Sequence, residues 1–123
     1  MHVRCLIVDD DEGFLQVASE LLEREQIDVV GVASNSAGAI QQAVSIRPDV
    51  VLIDVNLGDE SGFDVAAAIA DTVTSVPPAL ILISTYSLDD YLDLPAPGAT
   101  AFVHKSDLSG TTIRRILAGR KTG

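Results

Sequence analysis

Aromatic residues are scarce in this chain, at 4% of its 123 residues. A core must therefore be filled by Val, Leu, Ile and Ala, which dominate a hydrophobic share of 47%. Aliphatic wealth of that kind suits parallel strands buried on both faces. Cysteine occurs once, so no intrachain disulfide can form, and a reducing cytoplasm fits. Inside the apolar run Cys5-Leu6-Ile7-Val8, Cys5 reads as a small core residue, and no metal-ligand spacing joins it to His2 or His104. Positive charge is also short: eight Lys and Arg face eighteen acids, for a net charge of −10. That balance repels phosphate backbones and anionic membrane surfaces, which argues against direct nucleic-acid or membrane binding. Long apolar runs are missing as well. Ala79–Ile83 falls far short of the roughly 20 residues a spanning helix needs. The apolar N-terminal stretch runs straight into Asp9-Asp10-Asp11, which no secretory signal would tolerate.

What is present reads as one domain, placed at 1–118, with 119–123 as a C-terminal tail or the start of a linker. Five short apolar, often β-branched segments predict strands at Val3–Val8, Val29–Ala33, Val50–Val55, Ala79–Ile83 and Thr100–Val103. Helical spacing fills the gaps. Glu12–Glu25 puts Phe14, Ala18, Leu21 and Leu22 on one face, and a helix after Ser36 turns Ala39, Ile40, Ala43 and Val44 inward and stops before Pro48. Gly62–Thr72 buries Phe63, Val65, Ala66 and Ile69, and a short last helix covers about Leu108–Ala118. Strands alternating with helices imply right-handed crossovers and a doubly wound α/β domain with helices on both faces of a parallel sheet.

Ligands of such sheets bind beyond the carboxyl ends of the strands, so the residues there carry the chemistry. The ends read Asp9-Asp10-Asp11, Asp54-Val55-Asn56, Ser84-Thr85 and His104-Lys105. At least three carboxylates, a hydroxyl and an ammonium should converge. Crowded carboxylates repel and lose their charge unless a cation compensates them. Magnesium suits the set, because it takes oxygen ligands, keeps waters and recruits one or two carboxylates with phosphoryl oxygens. Ser84 as donor and Lys105 as point charge suit a phosphoryl group on Asp54. The plainer reading makes the acids loop-solvating residues and Lys105 their neutraliser.

The chain resembles a bacterial response-regulator receiver, and its Lys105-Ser-Asp-Leu108 is similar to receivers joined to helix-turn-helix outputs of the LuxR or NarL type. The resemblance rests on Leu6-Ile-Val-Asp-Asp10, Pro48-Asp-Val-Val-Leu-Ile-Asp-Val-Asn-Leu57 with Gly62 after it, Leu82-Ile-Ser84, and Gly98-Ala-Thr-Ala-Phe-Val-His-Lys105. It implies a flavodoxin-like five-stranded sheet of order 2-1-3-4-5. It makes Asp54 the phosphoacceptor, Asp10 a direct magnesium ligand, Asp9 a ligand acting mainly through water, and Asn56 a backbone-carbonyl ligand. Ser84 becomes the switch hydroxyl and Lys105 the phosphate-contacting lysine. Phe102 takes the place of the aromatic that moves with the hydroxyl, though plain core packing also accounts for it. The partners implied are a sensor histidine kinase, a homodimer, and a helix-turn-helix DNA-binding output domain that this chain does not contain.

Three features depart from that pattern. Ser106 stands where many receivers carry a cis-proline, which predicts a trans bond after Lys105. Pro95 and Pro97 predict a short or irregular helix within Leu88–Ala99. Tyr86 is placed either to shield an acyl phosphate or simply to pack its loop. A haloacid dehalogenase-type phosphatase would need an acid where Asn56 stands. An interaction module independent of phosphorylation would lack the acceptor or the acidic pair. A flavin-binding module would need Gly, Ser or Thr amides where Asp9 to Asp11 stand.

Overall fold

The computed structural model describes residues 2–86, 96 and 98–120. In chain order the elements are β1 (Val3–Val8), α1 (Glu12–Arg24), β2 (Ile27–Ala33), α2 (Ser36–Ile46) and β3 (Val50–Asp54). They continue with β4 (Asn56–Leu57), β5 (Glu60–Ser61), α3 (Gly62–Thr72), β6 (Ala79–Ser84), β7 (Ala101–His104) and α4 (Gly110–Arg120). A single 3-10 turn, Lys105–Asp107, separates β7 from α4. Five strands form a parallel sheet in the order β2-β1-β3-β6-β7, the doubly wound arrangement expected. No described helix is long and apolar enough to cross a membrane.

Alternation along the strands builds two cores. Leu6, Val8, Val51, Ile53, Leu80 and Leu82 face α2 and α3, while Cys5, Ile7, Leu52, Ile81 and Ile83 face α1 and α4. Side chains of successive residues leave opposite faces of a strand, so unbroken apolar runs are what a sheet covered on both sides demands. Cys5 is wholly buried, and burial pushes its thiol up to about 12, as expected of a core residue. Helix starts follow side-chain caps: Asp11 accepts from the Gly13 and Phe14 amides, Asn35 from Gly38, and Ser61 from Phe63. Each such cap contributes about 1 kcal/mol.

Strand ends differ from the sequence expectations by one or two residues: β2 starts at Ile27 instead of Val29, β3 ends at Asp54 instead of Val55, β6 ends at Ser84 instead of Ile83, and β7 spans Ala101–His104 instead of Thr100–Val103. Three further details differ. Val44 is 43% exposed, because α2 buries the stripe through Ala39 and Ala43, and the next residue is turned about 100° around the helix. The last helix starts at Gly110, two residues later than expected, since Lys105–Asp107 forms its own turn first. Asn56–Leu57 pairs antiparallel with Glu60–Ser61, a small hairpin that no hydrophobic alternation announced. The expected irregular helix within 88–99 lies outside the described residues, apart from Ala96, Gly98 and Ala99. No cis peptide occurs among the described residues, so the bond after Lys105 is trans as expected.

Candidate functional site

The sheet order reverses between β1 and β3, and at such a switch point the connections diverge and leave a crevice beyond the carboxyl ends. Asp9 and Asp10 follow β1 directly, and Asp54 is the last residue of β3. One oxygen from each of these three carboxylates lies within 4.8 Å of the others, an acidic cluster able to hold a metal ion. The neighbours differ in setting: Asp9 is fully buried and Asp10 exposed. Asp11 does not join them. Its carboxylate caps α1, and its amide donates to Asp9 Oδ1 at 2.9 Å.

Lys105 reaches across from the turn after β7. Its Nζ is 2.7 Å from Asp9 Oδ2 and 3.1 Å from Asp54 Oδ2, all three side chains being largely buried. The second contact is a hydrogen bond and the first a close ion pair, so the ammonium compensates the buried Asp9 Oδ2, which has no other polar partner among the described residues. Burial pushes the Asp9 carboxyl up, and the charge of Asp54 adds to this against the opposing pull of Lys105 and the Asp11 amide. Burial alone would lower the Lys105 ammonium, but hydrogen bonding and attraction to Asp9 and Asp54 prevail and raise it. One ammonium thus serves two buried carboxylates beside a third, and the site has room in its charge balance for a cation.

Backbone contacts fix the Asp54 carboxylate. The Asn56 amide donates to Asp54 Oδ1 at 3.0 Å, Val55 is tied to Ile83 at 3.0 Å, and Gly62 to Val55 at 2.9 Å. A Cβ on Gly62 would overlap the Asp54 carbonyl, so only glycine lets the start of α3 approach this closely. Ser84 is buried at the end of β6, next to β3, and its Oγ accepts from the Tyr86 amide at 2.9 Å. The Tyr86 side chain is 58% exposed, so its amide rather than its ring meets Ser84. Phe102 is half-buried on β7, its ring tilted 49° to that of Phe63 at 5.9 Å. Sequence reasoning missed Phe14, whose ring centroid lies 4.1 Å beneath Lys105 Nζ; helical spacing had marked it only as a face toward the sheet.

A family model of the response regulator receiver domain matches residues 5–116. The chain belongs to that family. Over 116 residues the receiver is 34% identical to the protein-glutamate methylesterase/protein-glutamine glutaminase of Alkalilimnicola ehrlichii, covering 89% of this chain and 29% of that protein. It is also 34% identical to the DNA-binding transcriptional activator DevR/DosR of Mycobacterium tuberculosis, covering 94% of this chain and 52% of the relative. The receiver thus spans under a third of the first relative and about half of the second. The solved receiver domain of NarL from Mycobacterium tuberculosis superposes with a TM-score of 0.76 at 28% identity, covering 99% of this chain and 98% of that one. Family and acidic cluster together make this receiver an aspartyl-phosphorylation switch of two-component signalling, a phosphoacceptor rather than a catalytic enzyme domain.

Proposed function

We propose that Asp54 is the phosphoacceptor, that magnesium is the cation of the acidic cluster, and that a sensor histidine kinase supplies the phosphoryl group. The observation that carries this reading is the position of Lys105 Nζ, 2.7 and 3.1 Å from carboxylates on two different strands. A structural salt bridge needs one carboxylate per ammonium; two, with a third beside them, mark a site arranged for more positive charge. The donor set fits magnesium: all oxygen, with the buried Asp9 Oδ2 partnered among the described residues by Lys105 alone, and Asp10 open to water. Asp9, Asp10, Asp54 and the backbone of Asn56 would hold the ion, which when bound neutralises charge on the phosphoryl oxygens.

The Asp54 carboxylate attacks phosphorus in line. The P–N bond of the phosphohistidine breaks, its electron pair leaves on the imidazole nitrogen, and the product is an acyl phosphate on Asp54. Lys105 shifts from bridging carboxylates to contacting a phosphoryl oxygen, and the Asn56 amide keeps the carboxylate oriented. Water attacking phosphorus later breaks the bond to Asp54 and returns inorganic phosphate and the free carboxylate. In the phosphorylated state the Ser84 hydroxyl leaves the Tyr86 amide for a phosphoryl oxygen, and Phe102 moves into the vacated space, altering the β7 surface offered to a partner or a second receiver. Likeness to an activator and to a methylesterase supports an output of either kind, the similarity of Lys105-Ser-Asp-Leu108 to LuxR-type receivers favours a helix-turn-helix output, and the single cysteine fits a reducing cytoplasm.

Intact mass after treatment with acetyl phosphate and magnesium tests the assignment. The wild type should gain one phosphoryl group and Asp54→Ala none. No gain in the wild type, or a gain retained in the variant, would overturn it.

A further inference from the structure

His104 is the last residue of β7, immediately before Lys105, and both of its ring nitrogens are engaged. The Ser106 amide approaches Nδ1 at 3.1 Å, and an amide can only donate, so Nδ1 is an acceptor. The Ser106 hydroxyl lies 2.6 Å from the same nitrogen and donates to it as well. Nε2 lies 2.9 Å from the Thr85 carbonyl, which can only accept, so the ring proton sits on Nε2. These neighbours settle the tautomer that the ring alone leaves open.

What the ring joins gives this geometry its meaning. Thr85 follows Ser84 directly, and the next residue's amide is the partner of the Ser84 hydroxyl. Ser106 follows Lys105, which opens the three-residue 3-10 turn Lys105–Asp107, and the end of that turn is held by a backbone hydrogen bond of 3.3 Å from the Leu108 amide to the Lys105 carbonyl. So short a turn is weakly held by itself, and His104 caps its start. The imidazole therefore ties the backbone just beyond the hydroxyl to the backbone carrying the ammonium.

We propose that His104 is a positioning residue of this receiver: a clip that sets Lys105 and the Ser84–Thr85 segment in register with each other around Asp54. It rests on the phosphoacceptor reading above and adds a residue that contacts neither phosphoryl group nor metal. Because the clip spans the two strand ends that respond to phosphorylation, it governs both how fast Asp54 takes up a phosphoryl group and how the hydroxyl's movement reaches β7. Its two bonds separate chemically. Asn in this place keeps a cap acceptor for the Ser106 amide but is too short to reach Thr85.

The experiment compares wild type, His104→Ala and His104→Asn in phosphoryl uptake from acetyl phosphate with saturating magnesium, followed by intact mass, with thermal melts alongside. His104→Ala should slow uptake about tenfold, a modest share of what small misplacements of catalytic groups can cost. Apparent magnesium affinity should stay unchanged. His104→Asn should regain most of any lost melting temperature but remain slow. Uptake by His104→Ala within twofold of wild type would overturn the proposal, as would His104→Asn matching wild type in rate. If His104→Ala does not fold, the Asn variant alone decides. Imidazole 15N shifts of the unphosphorylated wild type give a readout independent of phosphorylation: a proton fixed on Nε2 is expected, and one on Nδ1, or rapid averaging of the two nitrogens, contradicts the clip. Absence of uptake by the wild type would count against the phosphoacceptor reading, while the 15N result would still judge the clip.

Discussion

In the middle of the sheet Leu6, Leu52 and Ile81 are closed off from solvent by helices on both faces. Two or three residues further along the same strands, Asp9, Asp54 and Ser84 are also buried, and all three are polar. In the middle, every buried atom adds to stability, at about 25 cal/mol per Å² of apolar surface removed from water. At the carboxyl edge, burial works against the fold, because a desolvated carboxylate is unfavourable even when paired. The difference shows how one sheet serves two purposes: the aliphatic middle supplies the stability that lets an unfavourable cluster of like charges persist where phosphorus chemistry needs it.

The largest effect is expected in the middle of the sheet. Ile81→Ala removes a fully buried side chain from a strand paired on both sides, and should cost about 2–5 kcal/mol, measured by urea denaturation. The folded fraction should still take up a phosphoryl group at close to the wild-type rate, since the acid cluster is untouched. A variant as stable as wild type, or one that stays folded yet takes up no phosphoryl group, would break the division between middle and edge.

That division also explains how far the sequence could be read. Unbroken apolar, often β-branched runs marked all five sheet strands, and Val3–Val8 and Gly62–Thr72 appear with the expected ends. Asp9, Asp10, Asp54, Ser84 and Lys105 were legible because topology alone delivers them to one edge. Their partners were not. Phe14 under Lys105 and the two-sided engagement of His104 depend on rotamers and distances between elements far apart in the chain. The hairpin Asn56–Ser61 has no apolar alternation to announce it, and the exposure of Val44 turns on a rotation of one residue around a helix. Asp11 carried the one missed signal within reach, an acidic residue just ahead of a helical apolar pattern.

Gly62 sits on the border between the two regions, where α3 begins against the end of β3. Gly62→Ala puts a Cβ into the Asp54 carbonyl and within 2.8 Å of Val55 Cα, so either α3 or the Asp54 backbone must retreat. The expected loss is about 1–3 kcal/mol by thermal or urea melts. Unlike Ile81→Ala, it should also slow phosphoryl uptake by the folded protein, because the residue displaced is Asp54, the proposed acceptor. Lost stability with an unchanged uptake rate would mean that α3 yields and the edge is insulated from it.

The smallest effect tests the edge from its own chemistry. Burial holds the Asp9 carboxyl above its ordinary value of 3.8, so between that value and the folded one the native protein keeps a proton that the unfolded chain has released. Stability therefore falls as pH rises through this window and levels off above it, the opposite of an ordinary salt-bridged aspartate, whose depressed value makes stability rise with pH. Each unit of upward shift corresponds to about 1.4 kcal/mol. Other carboxylates titrate nearby, so the quantity to measure is the difference between wild type and Asp9→Asn in urea midpoints taken in small steps from about pH 4 upward. Asp9→Asn should gain on the wild type steadily across the window and end more stable at neutral pH. A wild type that instead gains on Asp9→Asn as pH rises would show that Lys105 more than compensates the buried charge, and that the edge is as favourable to the fold as the middle.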